Sequence, residues 1–114
     1  MGRRQLPAAS LRVLIALLGG DRHGYAILQG VEQLSDGTVR MGAGTLYGTI
    51  KRLLGDGLIE EVTDHHTDGD SDERRRYYRL TGAGERAAAA ELTRLRTLLA
   101  RAQRLRTGFG GSVA

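Results

Sequence analysis

Apolar residues fall at Leu11, Leu14, Ile15 and Leu18, the i, i+3, i+4, i+7 spacing of one helical face. Pro7 suits the first turn, where its missing N–H costs little, and Gly19 and Gly20 supply the stop. A second helix is predicted with Asp21 as N-cap and Ile27, Leu28, Val31 and Leu34 as its apolar positions. Ser35, Asp36 and Gly37 end it. A third starts near Gly42 or Ala43, buries Leu46, Ile50, Leu53 and Leu54, and stops at Gly55 and Gly57. Leu58 to Thr63 and Arg76 to Leu80 read as two strands of a hairpin. Their long connection is polar and rich in turn formers. Thr81 then caps a last helix from about Ala83 to Arg106, roughly 36 Å long at the usual rise per residue.

The fold class expected is mainly α with a small β-hairpin, in the order of a winged helix-turn-helix followed by a long C-terminal helix. Residues 1–7 read as a flexible basic arm, 8–80 as the winged domain, 81–106 as a dimerisation helix and 107–114 as a disordered tail. A helix of that length outruns so small a domain. Leu92, Leu95, Leu99 and Ala102 on one stripe, together with Leu11 of the equally amphipathic first helix, are expected to face a second copy.

Composition narrows the chemistry. Of 114 residues 40% are hydrophobic and 26% charged, as in ordinary folded domains. Cysteine is absent, which removes disulfides, thiolate metal sites and cysteine nucleophiles together. No apolar run approaches the ~20 residues of a membrane span, so no membrane partner is expected. Leu11 to Leu18 follows helical spacing, not the unbroken apolar run of a signal peptide, and a cytoplasmic chain is expected. No nucleophile sits near a base and no carboxylate pair lies in apolar sequence, so no catalytic residue is assigned and the chain is not read as an enzyme.

Net charge is +4, unevenly spread. Residues 1–60 carry seven basic and five acidic groups, residues 61–80 four and six, and residues 81–114 six and two. Lys51 is the single lysine. Because the surplus sits in the last third, net charge alone says little about a polyanionic partner.

Four short words add to this reading: His23-Gly24-Tyr25, Gly44-Thr45-Leu46-Tyr47, Asp56-Gly57-Leu58-Ile59 and Arg76-Tyr77-Tyr78-Arg79-Leu80-Thr81. In order and spacing they resemble the PadR family of transcriptional regulators, over roughly residues 9–106. The resemblance implies a small-subclass regulator with one C-terminal dimerisation helix, binding an inverted-repeat operator in double-stranded DNA as a homodimer and acting as a ligand-responsive repressor. It also implies a pocket for a small aromatic effector between the paired helices. Some members stack their ligand on Trp there, and this chain has none. The pattern departs at Gly42, Ala43 and Gly48, where members carry Ser-Pro before the third-helix word and Pro after it. A softer start to the helix follows.

On a wheel of 100° per residue, Gly44, Gly48 and Arg52 point away from the apolar arc of the third helix, with Thr45 and Lys51 on its flanks. Two glycines on an exposed helical face each cost about 1 kcal/mol against alanine, a cost easier to understand if the backbone must approach something closely. Thr45, Thr49 and the Tyr47 hydroxyl suit phosphates or base edges, and Lys51 and Arg52 supply charge. Arg74, Arg75 and Arg76 at the wing base complete the expected DNA contact. The rival reading is a winged helix that binds a protein through the same face, and the acidic stretch Asp64 to Glu73 fits it as well. That stretch lacks the full calcium-loop spacing, and adjacent His65 and His66 would point to opposite sides of an extended chain. No metal or other cofactor is assigned.

Overall fold

The computed structural model describes residues 6–62 and 76–108. Helix α1 (Ala8–Ala16) runs into a 3-10 turn at Leu17–Gly19, followed by strand β1 (Arg22–His23) and helix α2 (Gly24–Leu34). Helix α3 (Ala43–Gly55), strands β2 (Ile59–Val62) and β3 (Tyr77–Leu80) and helix α4 (Gly82–Gly108) complete the order. This is the predicted winged helix-turn-helix with a long last helix, plus one unpredicted strand. The sheet has the order β1-β3-β2 with both pairings antiparallel; Tyr78 of β3 faces Arg22 on one side and Glu61 on the other.

The core draws on every helix. Val13, Leu14 and Leu17 from the first helical segment, Ile27 and Val31 from α2, and Leu46, Ile50 and Leu53 from α3 are buried together. Ile59, Tyr78 and Ala88 close it from the sheet and α4. Two positions depart from the sequence reading. Leu18 is 51% exposed and its place is taken by Val13 and Leu17. The segment Leu11–Leu18 carries two overlapping apolar stripes, and α1, packed against α2, α3 and α4, turns the Val13–Leu17 stripe inward. Leu34, at the last position of α2, is 59% exposed because the helix has by then run past the core.

The predicted cap of α2 also moves. His23, not Asp21, is the N-cap: its Nδ1 accepts from the Ala26 amide at 3.3 Å. Asp21 cannot serve because Arg22 and His23 are extended and paired to β3, so the first helical residue is Gly24. Arg22 anchors this segment by donating from Nε to the Ala16 carbonyl at the end of α1, at 3.0 Å.

Helix α3 closes with a pair of turn bonds, Gly57 N–H to the Leu54 carbonyl and Leu58 N–H to the Leu53 carbonyl. Leu58 is therefore spent on ending the helix, and β2 begins one residue later than predicted. Thr81 caps α4 as expected, its hydroxyl accepting from the Gly84 amide at 3.0 Å and donating to the Gly57 carbonyl at 2.7 Å. A Cβ at Gly84 would overlap the Leu58 carbonyl, so only glycine lets α4 sit this close. Helix α4 continues through Gly108, beyond the predicted Arg106, and Thr107 lies within it with its hydroxyl on the Gln103 and Arg104 carbonyls. At 27 residues it is about 40 Å long and accounts for the elongated 61 × 35 × 22 Å shape.

Candidate nucleic-acid interface

Burying Leu46, Ile50 and Leu53 fixes which way α3 faces, and Gly44, Thr45, Tyr47, Gly48, Lys51 and Arg52 are all exposed on its other side. Thr49 is half-buried at the edge of the packed face and is the least available of the predicted contacts. A Cβ built at Gly44 or Gly48 meets nothing within 4 Å. No packing within the described chain therefore requires glycine at either position. The helix starts from Gly42 with no side-chain cap. Neither Lys51 nor Arg52 pairs with a carboxylate among the described residues, whereas Arg40 is held 3.7 Å from Glu32.

Tyr47 is more constrained than its sequence suggests. It is 52% exposed, yet its hydroxyl lies over the start of α2, where a Cβ at Gly24 would come within 2.5 Å of it. The same end of α2 exposes Tyr25, 63% accessible on the first turn, which the sequence reading did not single out as a contact. Its membership of the His23-Gly24-Tyr25 word was the available signal.

At the wing base, Arg76 Nε stands 3.7 Å from Glu61 and Arg79 Nε donates to Glu60 at 2.9 Å, two cross-strand pairs on exposed positions. Arg76 stays 62% exposed in its side chain. The Tyr78 phenol is pushed above its ordinary value, first by burial and then by the Glu61 carboxylate, with the Arg76 guanidinium opposing. It is neutral at physiological pH. Arg74 and Arg75, with the acidic stretch Asp64 to Glu73, lie outside the described residues.

On α4, Leu92 and Leu95 are a little over one-third exposed, Leu98 and Leu99 more than half, and Leu105 two-thirds; Ala102 is exposed beside them. Leu11 is half-buried on α1. Among the described residues no helix is long and apolar enough to cross a membrane.

The profile of the PadR-like family of transcriptional regulators matches residues 13–90, from the second half of α1 through the first turns of α4. The chain belongs to this family. A PadR-like fold is also what the solved structures share with it. RosR of H. salinarum is 26% identical, covers 91% of this chain and 90% of its own length, and superposes with a TM-score of 0.68. PadR of Bacillus subtilis, solved in complex with operator DNA, is 20% identical over 75% of this chain and 47% of its own, with a TM-score of 0.63. An uncharacterized 37.1 kDa protein of a Streptomyces fradiae transposon is 38% identical over 76 residues; this PadR-like chain matches 67% of its own length and 19% of that relative's.

Proposed function

We propose that this PadR-like protein is a sequence-specific DNA-binding repressor that grips an inverted-repeat operator as a homodimer, α3 of each subunit entering the major groove. The observation that carries the reading is the outer face of α3: two glycines in open space, flanked by Thr45, Tyr47, Lys51 and Arg52. Exposed glycines weaken a helix without helping its packing, and they make sense where a backbone approaches a base edge or phosphate. The Bacillus subtilis PadR that shares the fold was solved in complex with operator DNA, which supports DNA as the partner. Arg74, Arg75 and Arg76 would contact phosphates from the wing base, and Tyr25 lies where the first turn of α2 would cross the backbone.

The leucine face of α4, with Leu92, Leu95, Leu99 and Ala102, supplies the second copy's contact, joined by Leu11 of α1. A ligand-responsive form of this reading places a small aromatic effector between the paired α4 helices. The experiment is a mobility-shift titration on the DNA upstream of the protein's own gene. Arg52→Ala should weaken specific binding by about 1–3 kcal/mol if it reads a base. Unchanged affinity for both Lys51→Ala and Arg52→Ala would reject α3 as the reader.

A further inference from the structure

We propose that His23 and Gly24 form a positioning joint that sets the angle of the recognition helix against the wing, and with it the discrimination between DNA sequences. The proposal rests on the DNA reading above and assigns a role to residues outside the contact face. Three contacts meet at this point of the fold. The His23 imidazole accepts the Ala26 amide through Nδ1 at 3.3 Å and so fixes the start of α2. Its ring stands edge-on to Tyr77 of β3, with centroids 5.4 Å apart and planes at 87°. The adjacent Gly24 leaves room for Tyr47 of α3, whose Oη and Cζ would be 2.5 Å and 3.1 Å from a Cβ there.

Helix α3 has few other means of fixing its outer face. Its first turn lacks a side-chain cap and contains Gly44, with Gly48 one turn further on. The buried row Leu46, Ile50 and Leu53 holds the helix down, while Tyr47, on its outer half, lies against the start of α2. Tyr77 is in turn paired with His23 on one side and Val62 on the other, so β3 carries the joint directly into the wing. A Cβ at Gly24 must displace the Tyr47 ring, which is itself a proposed contact on the outer face of α3. Gly24 and Tyr47 thus act as one unit, with His23 tying that unit to the wing.

The test uses a duplex selected from random sequence by the wild-type full-length protein, compared with an unselected duplex of equal length. Gly24→Ala should lower the ratio of the two affinities at least tenfold, with the unselected duplex changed less than threefold. In a Tyr47→Ala background, itself weakened, Gly24→Ala should change the ratio less than threefold further, because the obstruction is gone. His23→Asn keeps a capping side chain but loses the ring against Tyr77, and should lower the ratio about threefold while the thermal midpoint stays near that of the wild type. If Gly24→Ala binds like the wild type, or costs the same factor in both backgrounds, the joint is overturned. Should Gly24→Ala fail to fold, His23→Asn decides: an unchanged ratio rejects the proposal. A wild type that selects no sequence at all overturns the DNA reading instead.

Discussion

Replacing Leu99 with aspartate tests the dimer at a position where the subunit's own fold has little at stake. Leu99 is 56% exposed, so most of its side chain contributes nothing to the packing of its own chain. Leu92, Leu95, Leu98, Leu99 and Leu105 together leave exposed about the area of two and a half whole leucines. At roughly 1.5–3 kcal/mol per leucine fully buried, covering that area is worth about 4–7 kcal/mol per subunit, and two-fold symmetry doubles it. A gross gain of about 8–15 kcal/mol is of the size needed to offset the cost of association and leave a micromolar or tighter dimer. Leu99→Asp forfeits about 2–3 kcal/mol over the two copies and adds two carboxylates to an apolar contact. The dimer should therefore weaken at least 30- to 100-fold, with helical content by circular dichroism retained. Sedimentation equilibrium across a concentration series reads both species. A wild-type chain that stays at 12.3 kDa at tens of micromolar refutes the reasoning, as does a Leu99→Asp variant that associates like the wild type.

The wing and the sheet supply further expectations. Replacing Arg74, Arg75 and Arg76 by Ala should weaken binding to every duplex and flatten its salt dependence, by up to about five to six units of slope if each arginine meets one phosphate in both subunits. An unchanged slope removes the wing base from the interface. Asp68, Asp70 and Asp72 changed to Asn should leave non-specific binding unchanged or stronger; a loss would give the acidic stretch a role of its own. Burial raises the Tyr78 phenol above 10.0, so the folded state holds that proton more tightly than the unfolded chain does. The corresponding stability is complete at neutral pH and is lost as pH rises past the ordinary tyrosine value. Thermal midpoints measured from pH 8 upward should fall less steeply in Tyr78→Phe than in the wild type.

Much of the winged fold was legible because its helices are long enough for periodicity to speak. The buried face of α3 came directly from spacing, and Thr81 capped α4 where a threonine precedes glycine and a helical run. What failed did so where two signals competed over a few residues. Helix α1 has apolar residues on more than half its circumference, so its pattern allowed two faces, and only the elements packed around it chose Val13, Leu14 and Leu17. Asp21 is the better N-cap by residue type, but pairing of Arg22 and His23 with β3 overrode that preference. A two-residue strand carries no period to detect. The role of Gly24 was invisible for a different reason: its partner Tyr47 is 23 positions away, and close approach between two elements leaves no trace in either element's own spacing.

Charge would make the two exposed faces depend on each other in the proposed dimer. Within residues 6–62 the basic groups are Arg12, Arg22, Arg40, Lys51 and Arg52. Arg22 is engaged with the Ala16 carbonyl and Arg40 with Glu32; of the other three, Arg12 is half-buried on α1, and Lys51 and Arg52 stand on the α3 face. Two cations release few counterions, so the α3 face of a single PadR-like subunit would by itself have little electrostatic hold on a duplex. In the proposed dimer, pairing through α4 would double those cations and present a second α3 to the next major groove, at no cost in further surface charge. In the proposed dimer the leucines of α4 would thus contribute to DNA affinity without touching DNA. On that account a substitution such as Leu99→Asp, distant from α3, should cost operator binding as much as the loss of a direct contact does.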